Sequence, residues 1–256
     1  CHTYYSLRFG TFSETELLEL ARNNGAVRLA LTDVNNTSAN LNFLRKAPEY
    51  GISPVVGVDF RNGVDQQYVG IAKNNQGYSE LNQWLSAHLH QEKPFAPNAP
   101  NFKNVFVVYP FEKVLLNDRT VFGEHEFIGI SIKNLRKLPF TKYITLRDSL
   151  VVQQPVTFRN KRDYNAHRLL RAIDNNTLLS KLPIVEQADP DELMYPMVNL
   201  AQAFQEYPFI LENTQKLLQA CHVEFDFSPS KKSLNQQTYS GCVEKDRAML
   251  RELAYK

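Results

Sequence analysis

Over the first 150 residues, short apolar runs of extended type alternate with amphipathic segments. That alternation restricts the fold more than any other feature, because it is the pattern of βα units laid around a sheet. In the first unit, Ser13 followed by Glu16 reads as a capping box, Leu17, Leu18, Leu20 and Ala21 recur at helical spacing, and Asn24-Gly25 closes the helix. A strand is predicted over 29–34. A helix over 38–49 is stopped by Gly51, and Pro54-Val55-Val56-Gly57-Val58 reads as a buried strand with 67–72 beside it. Further on, the pattern predicts a helix over 78–90, a proline-rich loop over 94–100, and strands over 105–109, 127–130 and 143–146. The units imply a parallel sheet.

From residue 163 the character changes to helix, with Ala166, Leu169, Leu170 and Ile173 on one face and further helices over 191–204 and 211–221. The polar run 228–238 reads as a mobile connection, and a final helix over 244–255 is interrupted by the chain end, as in a fragment of something longer. With 43% hydrophobic and 22% charged residues in 256, the chain can bury a sizeable core. It has no apolar run long enough for a bilayer span and no signal pattern, so a cytoplasmic protein without membrane contact is expected. Cys1, Cys221 and Cys242 are far apart, with no Cys-x-x-Cys spacing, so neither a disulfide framework nor a thiolate zinc site is suggested. The net charge of +2 supplies no global attraction to nucleic acid, so DNA contact has to be local.

Several short motifs recur in a fixed order: His2-Thr3-x-x-Ser6-Leu7-x-x-Gly10, Ala30-Leu31-Thr32-Asp33, Pro54-Val55-Val56-Gly57-Val58-Asp59-Phe60, and Ala72-Lys73-Asn74-x-x-Gly77-Tyr78-x-x-Leu81. Asp148 and Asp163-Tyr164-Asn165-Ala166-His167 come after them. Together they resemble the N-terminal PHP (polymerase and histidinol phosphatase) domain of bacterial DNA polymerase III alpha subunits. The chain starts inside the first of these motifs.

The resemblance implies an α/β fold: a distorted (β/α)7-type PHP barrel followed by C-terminal helices. Residues 1–225 would form the PHP domain, and 226–256 the linker and start of a polymerase body. Metal ligands of such barrels lie at the carboxyl ends of strands, where a cluster of divalent ions activates water for phosphoester hydrolysis. Three positions of that set keep a possible ligand here, His2, Asp59 and Asp148, while Phe9, Val34 and Leu150 replace others with hydrocarbon. A zinc or manganese cluster is therefore not expected, and the three remnant positions are read as empty; one isolated ion held by them is the alternative. Phe9, Val34 and Leu150 are expected to pack together where relatives use metal.

Arg159, Lys161, Arg162, Arg168 and Arg171 form the strongest basic cluster, a candidate contact for DNA or for a protein partner. His88 and His90 read as surface residues, His125 as a loop residue, and His167 as an exposed or hydrogen-bonded structural histidine. Asp33 reads as the cap of the turn that follows its strand, with Asn35 and Asn36 completing an Asx-rich loop.

The resemblance implies a structural and interaction module of a replicative DNA-directed DNA polymerase, not catalytic by itself. Its partners would be the remainder of its own chain, a proofreading exonuclease subunit, and DNA through the full-length protein. The competing reading is a metal-dependent phosphoesterase or 3′-5′ exonuclease, which needs ligands the sequence does not show. A free-standing binding protein of the same fold is a third, opposed by the interrupted final helix.

Overall fold

The computed structural model describes residues 1–228 and 238–255. They divide into two compact units, Cys1–Glu224 and Phe225–Lys256.

The first unit opens with helix α1 (Glu14–Asn23), and the capping box forms as predicted. Ser13 Oγ accepts from the Glu16 N–H at 3.2 Å, and Glu16 Oε2 accepts from the Ser13 N–H at 2.9 Å. Leu17, Leu18 and Ala21 turn into the core.

Six strands make one sheet in sequential order: β1 (Arg28–Leu31), β2 (Ser53–Asn62), β3 (Asp65–Ala72), β4 (Val105–Pro110), β5 (Glu126–Ile130) and β6 (Leu150–Val152). The class is α/β, and the sheet curls as a half-barrel with helices. The expected parallel sheet is corrected to a mixed one. Strand β1 pairs parallel with β2, and β4, β5 and β6 run parallel in turn, but β3 is antiparallel to both neighbours. The cause is local: Asn62-Gly63 begins a tight turn in which Gly63 has φ +62°, so β2 folds directly back into β3 without a crossover helix.

The two faces of the sheet bury different side chains. Val56, Val58, Phe60, Tyr68, Val107 and Ile128 join the main core. Val55, Val69, Ile71, Val108 and Val151 face Leu217 and Cys221 on the inner side. Residues 1–3 bridge the gap beyond β1 by backbone bonds: the Thr32 N–H donates to the Cys1 carbonyl at 3.0 Å, and the His2 N–H donates to the Val156 carbonyl at 2.9 Å.

The remaining helices of this unit are α2 (Asn40–Lys46), α3 (Asn75–His90), α4 (Phe111–Leu116), α5 (Lys161–Asp174), α6 (Met197–Ala203) and α7 (Pro208–Gln219). Three expectations change. The helix expected over 38–49 is α2 followed by the 3-10 turn Ala47–Tyr50, which Gly51 ends at φ +69°. The strand expected over 143–146 is a 3-10 turn, Lys142–Thr145, whose Tyr143 buries its ring and donates from its hydroxyl to the Val114 carbonyl at 3.1 Å. One buried anchor there mimicked the alternation of a strand. The helix expected over 191–204 is confined to α6, because Pro196 lacks the N–H and the backbone freedom to continue a helix through it.

In the second unit, α8 (Val243–Ala254) begins where the Asp246 carboxylate accepts from the backbone N–H groups of Tyr239 and Ser240, each at 2.8 Å. Of the expected mobile connection over 228–238, residues 229–237 lie outside the described residues. Among the described residues, no helix is long and apolar enough to cross a membrane.

Candidate functional site

Strand β2 places Asp59 and Arg61 two residues apart, so both project to the inner face that Val55 begins. The pairing of β2 with β3 shifts register between Phe60 and Arg61. Asn35 braces that irregularity, its Oδ1 accepting from the Arg61 N–H at 3.0 Å and its Nδ2 donating to the Arg61 carbonyl at 2.8 Å.

The Asp59 carboxylate is 0% exposed and accepts three hydrogen bonds. His2 Nε2 donates to Oδ2 at 2.9 Å, Arg61 Nε donates to the same oxygen at 2.8 Å with Nη2 ion-paired at 2.7 Å, and Gln66 Nε2 donates to Oδ1 at 2.8 Å. A carboxylate offers roughly four acceptor positions. Protein groups crowd Oδ2, whereas Oδ1 meets Gln66. The Arg61 guanidinium is itself buried and lies over the Phe9 ring, 4.8 Å from its centroid. Burial opposes ionisation of Asp59, but the Arg61 charge and the His2 hydrogen bond overcome it and hold the carboxyl well below the usual range.

On its other nitrogen, His2 meets the Thr157 hydroxyl at 2.8 Å, and the same hydroxyl bonds to Glu192. Burial drives the His2 pKa down to about 4 despite its bond to Asp59, so the ring is neutral. The same burial pushes the Glu192 carboxyl up.

A second buried carboxylate lies nearby with no cation bonded to it. Asp33 accepts from the Thr3 N–H at 2.6 Å, the Thr3 hydroxyl at 2.8 Å and the Ser6 hydroxyl at 2.7 Å. The expected turn-capping role is therefore corrected: Asp33 faces inward and gathers the first motif around itself, while Asn36 makes the Asx turn by accepting from the Ser38 N–H at 2.7 Å. Burial raises the Asp33 pKa in spite of these bonds. The same motif needs Gly10, since a Cβ there would stand 1.8 Å from the Thr3 carbonyl oxygen.

Of the three remnant positions, the structure brings together only His2 and Asp59. Asp148 is exposed in the 3-10 turn Arg147–Ser149, ahead of β6 and not at its carboxyl end. Just past that carboxyl end stands Gln153, whose Nε2 donates to Gln66 at 3.3 Å, and Thr157 lies four residues further along the chain. Among the described residues, no three or more His, Cys, Asp or Glu side chains are grouped to hold a metal ion. Asp59 Oδ2 is engaged by His2 and Arg61, and the other His2 nitrogen by Thr157, while Oδ1 of Asp59 meets Gln66.

The three apolar replacements separate. Phe9 packs with Phe158 and Ala188, and Val34 lies against that cluster. Leu150 turns to the other face and joins the main core, so the expected three-residue contact is corrected to two. The reason is the alternation of β6, which puts Leu150 and Val151 on opposite faces. His167 is a hydrogen-bonded structural histidine: Nδ1 donates to the Phe9 carbonyl at 2.7 Å and Nε2 accepts from the Ala188 N–H at 3.0 Å. Burial lowers its pKa to about 4.

His88, expected at the surface, is half-buried and stacks on Phe95 with ring centroids 4.8 Å apart, whereas His90 is exposed. His125 is half-buried just before β5, with Nε2 3.0 Å from the Lys73 amine.

Two of the five residues of the basic cluster are paired with carboxylates. Arg159 pairs with Asp163 and Glu16, and Arg171 is buried between Asp174 and Glu186. Arg168 donates to Gln187 at 2.9 Å, and Lys161 and Arg162 are exposed. The sequence reading missed Arg61, Gln66, Thr157 and Glu192. The signal for Arg61 was present: an acid and a base two apart on a strand share a face.

A cavity of about 450 Å³ opens beside the network, with His2, Asp59, Gln66 and Gln153 on one side and walls that include Val69, Ile71, Val108 and Leu218. Such walls offer few donors to a phosphate.

Comparison with known proteins agrees with this architecture. The model of the PHP domain family matches residues 1–127. Residues 1–127 are thus similar to a PHP domain. Beyond them, the chain is similar to DNA polymerase III alpha subunits. That of Ureaplasma parvum is 25% identical over 89% of this chain and 21% of its own length. That of Halalkalibacterium halodurans is 23% identical over 87% of this chain and 22% of its own length. An error-prone DNA polymerase of Symbiobacterium thermophilum is 35% identical over 38% of this chain and 9% of its length. Against the two alpha subunits the chain spans about a fifth of the relative's length.

Proposed function

We propose that the chain is the PHP-bearing part of a replicative DNA-directed DNA polymerase of the DNA polymerase III alpha type, and that its barrel is a structural and interaction module holding no metal cluster. The observation that carries this reading is the buried ion pair of Asp59: the fixed Arg61 guanidinium and the His2 ring crowd Oδ2, and the cation stands where a divalent ion would meet like charge. Phe9 supports it, since burying a ring of that size contributes roughly 1.5–3 kcal/mol without any ligand. In this reading polymerase activity belongs to a longer chain in the cytoplasm, and the module stabilises that chain and offers a face to a proofreading exonuclease. DNA is met through the full-length protein.

The test is elemental analysis of purified protein, combined with thermal melts with and without chelator. The expected result is less than one bound zinc or manganese per chain and an unchanged melting temperature. Two or more ions per chain, or a chelator-induced drop of several degrees, would overturn the reading in favour of a metal-dependent phosphoesterase.

A further inference from the structure

Helix α5 is inverted. Its buried face carries Asp163, His167 and Arg171 along with Ala172, and the charged and polar groups are each bonded to protein partners. Its opposite face presents Ala166, Leu169 and Ile173, which fall at i, i+3 and i+7. Leu169 is 53% exposed and Ile173 60%, and Leu178 just beyond the helix is 65% exposed. A helix with ion pairs inside and an apolar stripe outside is arranged for a second contact surface, because water gains nothing from that stripe. At the amino end of the helix stand the exposed Lys161 and Arg162.

We propose that this stripe is a docking face for a helical segment of the same polypeptide lying outside these 256 residues. That segment would carry apolar side chains at i, i+3, i+4 and i+7 and acidic side chains opposite Lys161 and Arg162. The proposal rests on reading the chain as part of a longer polymerase.

The size of the stripe selects this occupant. A few side chains, each half to two-thirds exposed, fall far short of the roughly 800 Å² per partner that a stable interface between separate molecules buries. A second copy of the chain or a separate protein held by this stripe alone would dissociate. A covalently connected segment arrives at an effective concentration in the millimolar range, so a small apolar contact suffices. The relatives leave ample chain to supply it, since this chain covers only 21% and 22% of two of them.

The test compares the 256-residue chain with the longest polypeptide its gene encodes. Each carries Leu169→Cys or, as a second probe, Ile173→Cys, and maleimide labelling is followed peptide by peptide so that the native cysteines do not interfere. The expected result is fast labelling in the short chain and labelling slowed about tenfold or more in the long one. Equal rates in both would overturn the docking proposal while leaving the polymerase reading intact. Slow labelling in both would also overturn it, because the face would then be covered without the additional chain. A gene that ends at Lys256 would remove the polymerase reading itself and the proposal with it.

Discussion

Asp33 and Asp59 are both 0% exposed and both sit beside the first motif, yet their carboxyls are driven in opposite directions. Asp33 has three neutral donors and is pushed up by burial. Asp59 also has three donors, but one belongs to a guanidinium ion-paired with it, and it is held down. The contrast shows that three neutral hydrogen bonds do not offset the effect of burial on a carboxyl, whereas a paired cation does. In a metal-using barrel the ion can be that cation. Here it is Arg61, drawn from the same strand.

The strongest way to break the contrast is Arg61→Met. It strands a buried carboxylate, so a loss of about 3–5 kcal/mol is expected, on the order of 10 °C in melting temperature for a domain of this size. Adding Asp59→Asn should recover part of it, which chemical denaturation of the single and double variants would measure. An Arg61→Met protein as stable as the parent would show that Asp59 does not depend on its cation.

Acid titration is next. Burial holds His2 and His167 down to about 4, below the ordinary value of 6.5, so the unfolded state binds more protons between those limits. Stability should therefore fall as pH drops from 6.5 towards 4, by an amount on the order of 3 kcal/mol for each ring. The titration of Asp59 would add its own loss at lower pH still. Urea melts at pH 7.5, 5.5 and 4.5 provide the check, and His167→Gln should flatten the slope. A pH-independent midpoint would contradict the neutral rings.

Asp33→Asn should have the smallest effect, about 1–2 kcal/mol, because an amide keeps one acceptor and the ionised form was disfavoured already. If that substitution proves more damaging than Arg61→Met, the assignment of the two carboxylates is reversed.

Local signals were legible wherever chemistry and geometry are settled within a few residues. The Ser13–Glu16 capping box, the β2 run and the helical stripe from Ala166 to Ile173 formed as read. Residues 143–146 misled because a single buried tyrosine imitates strand alternation, and 191–204 because Pro196 was given too little weight. The candidate site was half legible. His2 and Asp59 meet, whereas Asp148 was assigned from motif order alone and lies ahead of its strand rather than after it.

By itself, then, the sequence determined the α/β class and most element boundaries, because propensity, capping and side-chain type act over a turn or a strand. Only the tertiary structure decided that the apolar stripe of α5 faces outward, and that Arg61, Gln66 and Thr157 close around Asp59 and His2. Those outcomes depend on contacts between segments up to 155 residues apart, as His2 and Thr157 are, where electrostatics and packing of the assembled fold outweigh any local preference.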